Sequence, residues 1–294
     1  MKDLSSPAKV REILARHNFS TRKALGQNFL IDGNIINKIV QAAEVTANDL
    51  VVEIGTGIGV LTSALAEKAS QVVAVEIDQK LKPILTETLG DYHNTAVVFA
   101  DAMEVDFDQL VAEKSAGRYG SKAQSYKLVA NLPYYITTPL IMHMLTNRFN
   151  LNRLVLMTQK EVAQRMVAKP GHKDYGALTV AVQYYTEADI AFKVPKTVFH
   201  PKPEVDSAVI CLKVREKPAV KVLNEKLFFN VMRAAFGMRR KTLLNALTGS
   251  TLNIGKEQWT NILHKISIDP KRRGETLSIE EFALIANELA PYKN

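Results

Sequence analysis

The sequence predicts an α/β protein, a largely parallel sheet with helices on both faces, followed by a small domain made only of helices. Three observations carry this. Between residues 50 and 214, short apolar runs alternate with stretches of helical periodicity, the pattern of strands joined by crossover helices. A glycine-rich turn, Gly55-Thr56-Gly57-Ile58-Gly59, directly follows the first such run and opens a helix. After about residue 215 the strand signal stops while helical spacing continues.

Taken in order, residues 5–18 have helical spacing through Val10, Ile13 and Leu14 behind Pro7. Residues 32–44 repeat it, with Ile35, Ile36, Ile39 and Val40 on one face and Asp32 placed to cap. Ser20 to Leu30 forms a basic connector between them. Strands are expected at 50–54, 72–77, 96–99, 126–130, 153–158, 189–194 and 206–214, with helices at 58–69, 79–89, 138–147, 160–168 and 175–186. Residues 114–125, rich in Gly and Ser, read as an exposed connection. Three further helices run from Leu227 to Leu247, Lys256 to Lys265 and Ser278 to Leu289. The last opens on the capping-box pair Ser278 and Glu281. Domains are therefore expected at 1–214 and 215–294.

Composition bounds the function. At 294 residues, 47% hydrophobic and 23% charged, the chain can bury a large core. Its single cysteine, Cys211, lies in an apolar run, so a disulfide framework is excluded and the thiol is expected to be inert. No apolar run reaches membrane-spanning length, and a soluble, cytoplasmic monomer is the expectation. Net charge is +8, unevenly spread. Residues 1–27 hold six Lys/Arg against two Asp/Glu, residues 28–212 hold 17 against 20, and residues 213–294 hold 15 against eight. Basic ends around a slightly acidic middle suit a polyanion gripped at the ends while chemistry proceeds in the middle. Solubility alone would account for the pattern equally well.

Two constellations carry chemistry. In the first, Gly55 and Gly57 let the backbone approach a ligand after strand 50–54, Glu76 ends the next strand, and Asp101 follows the third. Glycine turn, ribose-binding acid and second acid together describe a nucleoside pocket in a Rossmann-like sheet. The spacing G-x-G-x-G and the presence of Glu53 disfavour a pyrophosphate and favour a cationic nucleoside, S-adenosylmethionine. In the second, strand 126–130 delivers Asn131-Leu132-Pro133-Tyr134. Pro133 keeps the backbone extended, so an amide oxygen, a free carbonyl and an aromatic ring are available to grip a planar base. A strand end capped by a turn is the structural alternative. His17, His93, His143, His172, His200 and His264 lack ligand spacing, and no metal is expected.

With these pieces placed, the sequence resembles the ribosomal RNA adenine dimethyltransferases, the bacterial small-subunit enzymes above all. The carriers are Leu25-Gly26-Gln27-Asn28-Phe29-Leu30, Glu53-Ile54-Gly55-Thr56-Gly57-Ile58-Gly59, Val75-Glu76-Ile77-Asp78, Asp101, Asn131-Leu132-Pro133-Tyr134, Phe199-His200-Pro201-Lys202-Pro203-Glu204-Val205-Asp206-Ser207 and Arg239-Arg240-Lys241-Thr242-Leu243. Thr56 stands where the family more often has proline. The resemblance implies that Asn28, Leu30, Gly55, Glu76, Asp101 and Asn131 line a pocket for S-adenosylmethionine. It also implies that the target adenine stacks between Tyr134 and Phe199, and that its amine meets Asn131 and the Leu132 carbonyl.

The partner implied is the small ribosomal subunit and its RNA. Phosphate contacts are expected from Arg22 and Lys23, from Arg239, Arg240 and Lys241 on the helix 227–247, and from Lys271, Arg272 and Arg273. Other readings stay open. One is the antibiotic-resistance methylase of large-subunit RNA. Another, a protein-glutamine or DNA-amine methylase, would leave the basic helical domain unexplained. A third is a non-catalytic ribosome assembly factor.

Overall fold

A computed structural model describes Leu4 and residues 6–20, 26–115 and 125–292. Helix α1 (Pro7–Arg16) places Pro7 in the first turn, where its missing N–H costs nothing, and the Ser6 side chain accepts the Lys9 N–H at 3.2 Å. Strand β1 (Phe29–Leu30) precedes α2 (Gly33–Ala42), which Asp32 caps by accepting from the Asn34 and Ile35 N–H groups. The alternation then begins: β2 (Leu50–Ile54), α3 (Val60–Ala66), β3 (Gln71–Glu76), α4 (Lys82–Leu89), β4 (Thr95–Phe99), α5 (Phe107–Ser115), β5 (Tyr126–Asn131), α6 (Tyr134–Thr146) and β6 (Leu151–Gln159). After α7 (Lys160–Met166) and α8 (Ala177–Tyr185) come β7 (Thr186–Val194), β8 (Phe199–His200) and β9 (Ser207–Val214).

Seven strands form one sheet in the order β4-β3-β2-β5-β6-β9-β7. The pairs from β4 to β6 are parallel, and β9 joins β6 antiparallel. Every residue of β2 and β3 is buried, as expected of central parallel strands covered on both faces. Because the strand order reverses between β3-β2 and β2-β5, the carboxyl ends of β2 and β5 flank the switch point where open α/β sheets place ligands.

Contacts divide the chain into two compact units, Met1–Ala163 with Glu187–Val214, and Gln164–Thr186 with Arg215–Asn294. The expected cut at 214/215 misses the excursion 164–186, and aromatic packing is the reason. Tyr184 stacks on Phe228 with ring centroids 4.8 Å apart, Tyr185 stacks on Phe229 at 5.8 Å, and Tyr175 meets Phe236 edge-on at 5.8 Å. Both phenols of Tyr184 and Tyr185 donate to the Glu225 carboxylate, at 3.2 and 2.6 Å. The second unit also holds α9 (Glu225–Gly237), α10 (Leu243–Thr248), α11 (Lys256–Lys265) and α12 (Ile279–Leu289) around a fully buried Trp259. The capping box of Ser278 and Glu281 forms as expected.

Three expectations need correction. The helix expected from Leu227 to Leu247 is two helices: α9 ends at Gly237, and α10 starts after Thr242 in extended conformation. Gly237 is a poor helix former, and Met238 after it leaves the helical region with φ −125° and ψ 64°. Helix α6 begins at Tyr134 rather than 138, because Pro133 stands just before its first residue and presets the entry. Helix α5 was not foreseen, since only Phe107, Leu110 and Val111 mark its buried face before the Gly/Ser-rich stretch. Among the described residues no helix is long and apolar enough to cross a membrane.

Candidate active site and its family

Six segments converge on one pocket in the first unit. Asn28 and Leu30 come from the N-terminal segment, Gly55 and Gly57 from the turn after β2, and Glu76 from the end of β3. Asp101 lies just beyond β4, and Asn131, Leu132 and Tyr134 come from the end of β5. Phe199 in β8 completes the wall. The structure thus brings together all the cofactor-side and base-side residues expected from the sequence.

The glycine turn is built around a buried acid. Gly55 and Gly57 both have left-handed backbones, φ +80° and +58°, which strain any other residue. A Cβ on Gly57 would approach the Phe29 ring to 3.2 Å. In that conformation the Gly57 N–H donates to Glu76 Oε2 at 2.9 Å, while the Asp78 N–H donates to Oε1 at 2.9 Å. Glu76 is only 5% exposed, and burial pushes its carboxyl above the usual range against the pull of those N–H groups. Asp101 accepts the Met103 N–H at 2.9 Å, which fixes the turn that carries it.

Glu53 departs from the charge assumed in the sequence reading. It is 1% exposed, its Oε2 has no hydrogen-bond partner, and burial pushes its carboxyl up to about 8, with the Glu76 charge adding to the effect. At neutral pH it is mostly protonated unless a cation lies alongside it.

The base-side corner is equally constrained. Asn131 ends β5, where its Nδ2 makes a long contact of 3.5 Å to the Asn28 carbonyl, leaving Oδ1 to serve as an acceptor. Asn28 Nδ2 in turn donates to the Gly26 carbonyl at 3.1 Å. Pro133 follows with φ −55° and ψ 135°, turning the chain directly into α6. Tyr134 is half-buried, and its hydroxyl lies 2.9 Å from Ser207 Oγ at the start of β9; burial pushes the phenol up. The ring is held at its far end while its faces border the pocket.

Two-residue strands tie the halves of the pocket together. β1 pairs antiparallel with β8, placing Leu30 opposite Phe199, and the Ile31 N–H donates to the Val198 carbonyl at 2.9 Å. The segment that brings Asn28 and Leu30 to the pocket therefore also braces Phe199, itself 5% exposed. Strands this short have no periodicity to read. Sequence reasoning also assigned no role to Ile77, Tyr135 or Ser207; only the Ser207 hydroxyl, closing the Phe199–Ser207 segment, offered a signal. Gln27 Nε2 adds a further tie by donating to Asp78 Oδ2 at 3.1 Å.

The basic clusters fare unevenly. Arg22 and Lys23 lie outside the described residues. Arg239, Arg240 and Lys241 are exposed, but they occupy the turn between α9 and α10 rather than a helix face. Arg239 Nε donates to Glu275 Oε2 at 2.8 Å, and its Nη2 donates to the Lys173 carbonyl. Arg272 is half-buried and grips both oxygens of Glu281, with Nη2 to Oε2 at 2.9 Å, which pulls the Glu281 carboxyl down. Its guanidinium braces the α12 capping box, so it is not available as a phosphate contact. Lys271 and Arg273 are exposed beside it.

A seven-stranded sheet of this order, with a glycine turn, strand-end acids and an Asn-Leu-Pro-Tyr corner sharing one pocket, has the architecture of the Rossmann-like methyltransferases. The chain belongs to the ribosomal RNA adenine dimethylase family, whose model matches residues 18–290. It is 56% identical over 284 residues to the ribosomal RNA small subunit methyltransferase A of Pelotomaculum thermopropionicum, spanning 97% of this chain and 96% of that protein. Among solved structures it is similar to a dimethyladenosine transferase from Plasmodium falciparum, with TM-score 0.75 and 26% identity across 89% of this chain and 97% of the other. The 23S rRNA methyltransferase ErmE shares the fold, with TM-score 0.66 and 24% identity over 89% of this chain and 99% of its own.

Proposed function

We propose that the protein transfers methyl groups from S-adenosylmethionine to the exocyclic amines of two adjacent adenosines near the 3′ end of small-subunit ribosomal RNA, giving dimethyladenosines during ribosome biogenesis. The observation that carries this is the shared pocket, in which a nucleoside-binding half built on Gly57 and Glu76 adjoins a base-gripping half built on Asn131, Tyr134 and Phe199. The family match and the relative named for the small subunit support the RNA class, whereas the large-subunit methylase is similar in fold alone.

The residues present suit the cofactor. Glu53 Oε2 is buried without a partner, and a cation beside it would hold the carboxylate ionised. The Glu76 oxygens, which accept the Gly57 and Asp78 N–H groups, supply the acceptor for the ribose hydroxyls. Asp101 is placed to accept the cofactor's adenine amine, with Asn28, Leu30, Gly55 and Gly57 forming the wall. When bound, the cofactor supplies a methyl group on a sulfonium, already activated for transfer.

What the chain contributes is placement. An adenine amine is a weak nucleophile because its lone pair is delocalised into the ring. Asn131 Oδ1 and the Leu132 carbonyl accept its two hydrogens, drawing the nitrogen toward tetrahedral geometry and aiming the lone pair. Tyr134 and Phe199 hold the ring by its faces. Preorganised acceptors and orientation lower the barrier, and the proton that the methylated nitrogen then carries, strongly acidic on a cationic aryl amine, is released to solvent. In the second unit, Arg240, Lys241, Lys271 and Arg273 supply sequence-independent contacts to RNA phosphates.

Incubation with labelled S-adenosylmethionine and unmodified small subunits, followed by nucleoside mapping, tests the reading. Two adjacent dimethyladenosines are expected. Label confined to large subunits, or no label in either, would overturn it.

A further inference from the structure

We propose that Tyr135 is a stacking platform for the nucleotide next to the adenine held in the pocket, a second base subsite at the mouth of the site. The inference rests on the function proposed above.

Tyr135 is 62% exposed, yet it lines the same pocket as Asn131 and Tyr134. Among the described residues only two of the Phe, Tyr and Trp rings, Tyr135 and Tyr292, are exposed, and a ring this open at the entrance of a site wastes apolar surface unless something covers it. The two tyrosines that open α6 behave differently. Tyr134 turns its hydroxyl inward to Ser207, whereas Tyr135, one residue and about 100° of helix further on, stays in solvent.

The exposed ring is nonetheless supported. Its edge lies 3.6 Å from where a Cβ on Gly26 would stand, and Gly26 has φ +59°, a conformation that keeps this position a glycine. The Gly26 carbonyl accepts from Asn28, which contacts Asn131, so the floor beneath Tyr135 is tied to the base-gripping residue itself. A ring braced on one side and open on the other can receive a base face. Extruding one adenine from RNA unstacks its neighbour, and that neighbour needs a new partner. Stacking reads no hydrogen-bonding edge, so the platform accepts an adenine whose amine already carries two methyl groups. It therefore serves whichever of two adjacent targets is modified second.

The test compares wild type with Tyr135→Ala, Tyr135→Phe and Tyr135→Trp. Initial rates are measured against the concentration of unmodified small subunits, S-adenosylmethionine affinity is measured by calorimetry, and the two adenosines are mapped separately. Tyr135→Ala should raise KM for subunits about 5- to 140-fold, the range given by roughly 1–3 kcal/mol per stacked base at about 1.4 kcal/mol per tenfold. Cofactor affinity should hold, and the Phe and Trp variants should restore KM. An unchanged KM in Tyr135→Ala, or a Phe variant as impaired as Ala, overturns the subsite while leaving the methyltransferase reading intact. Wild-type protein that fails to methylate subunits overturns both.

Discussion

Glu53, next to last in β2, is 1% exposed and its Oε2 accepts no hydrogen bond. Glu53 has a carboxyl near 8 in the folded chain and near 4.5 when exposed, so the folded state holds an extra proton between those values. Stability must then fall as pH rises from about 4.5 to about 8, by an amount on the order of a few kcal/mol. Glu53→Gln removes the penalty. Denaturant unfolding without cofactor should show the variant gaining on wild type from pH 5 to pH 8, and parallel curves would show that Glu53 ionises freely. Tyr134 makes the opposite case, a polar group satisfied by one partner. Tyr134→Phe keeps the ring but strands the fully buried Ser207 hydroxyl, at a cost of about 1–3 kcal/mol in unfolding free energy. Equal stability of the two proteins would mean that the bond contributes nothing.

At the scale of elements, the pocket depends on pieces too short to stand alone. β1 and β8 contribute two residues each, and they matter because their pairing sets Leu30 against Phe199. The turn after β2 is similarly economical: one N–H from Gly57 positions the Glu76 carboxylate, and its bare Cα leaves room for the Phe29 ring. Gly57→Ala must strain a left-handed backbone and crowd that ring at once. A loss of about 1–3 kcal/mol in stability is expected, together with weaker S-adenosylmethionine binding by calorimetry; unchanged affinity would detach the turn from the cofactor. The break between α9 and α10 shows the same economy, since it turns three cations from a helix face into an exposed corner.

At the scale of the molecule, the excess of positive charge resolves into cations with partners and cations without. Arg239 and Arg272 are committed to Glu275 and Glu281. For Arg240, Lys241, Lys271 and Arg273 no ion pair occurs among the described residues. Replacing these four by alanine should weaken subunit binding and flatten its salt dependence by up to about three units of slope, at roughly 0.7–0.9 per phosphate contact, with S-adenosylmethionine affinity unchanged. A wild-type slope in the quadruple variant would mark them as a solvated surface.

By itself the sequence determined what periodicity and local chemistry can encode. The runs expected as strands at 50–54 and 153–158 lie within β2 and β6, because a short apolar run must be buried whatever its partner. The glycine turn, the strand-end acid Glu76 and the Asn131–Tyr134 corner were legible because each needs specific residue types at fixed spacing. Tertiary structure alone decided which side chains meet across long separations. It placed Tyr184 and Tyr185 against Phe228 and Phe229, moving residues 164–186 into the helical unit, and it assigned Arg272 to Glu281. It also decided the charge of Glu53. Burial, pairing and desolvation depend on what surrounds a group in space, and one-dimensional spacing does not carry that information.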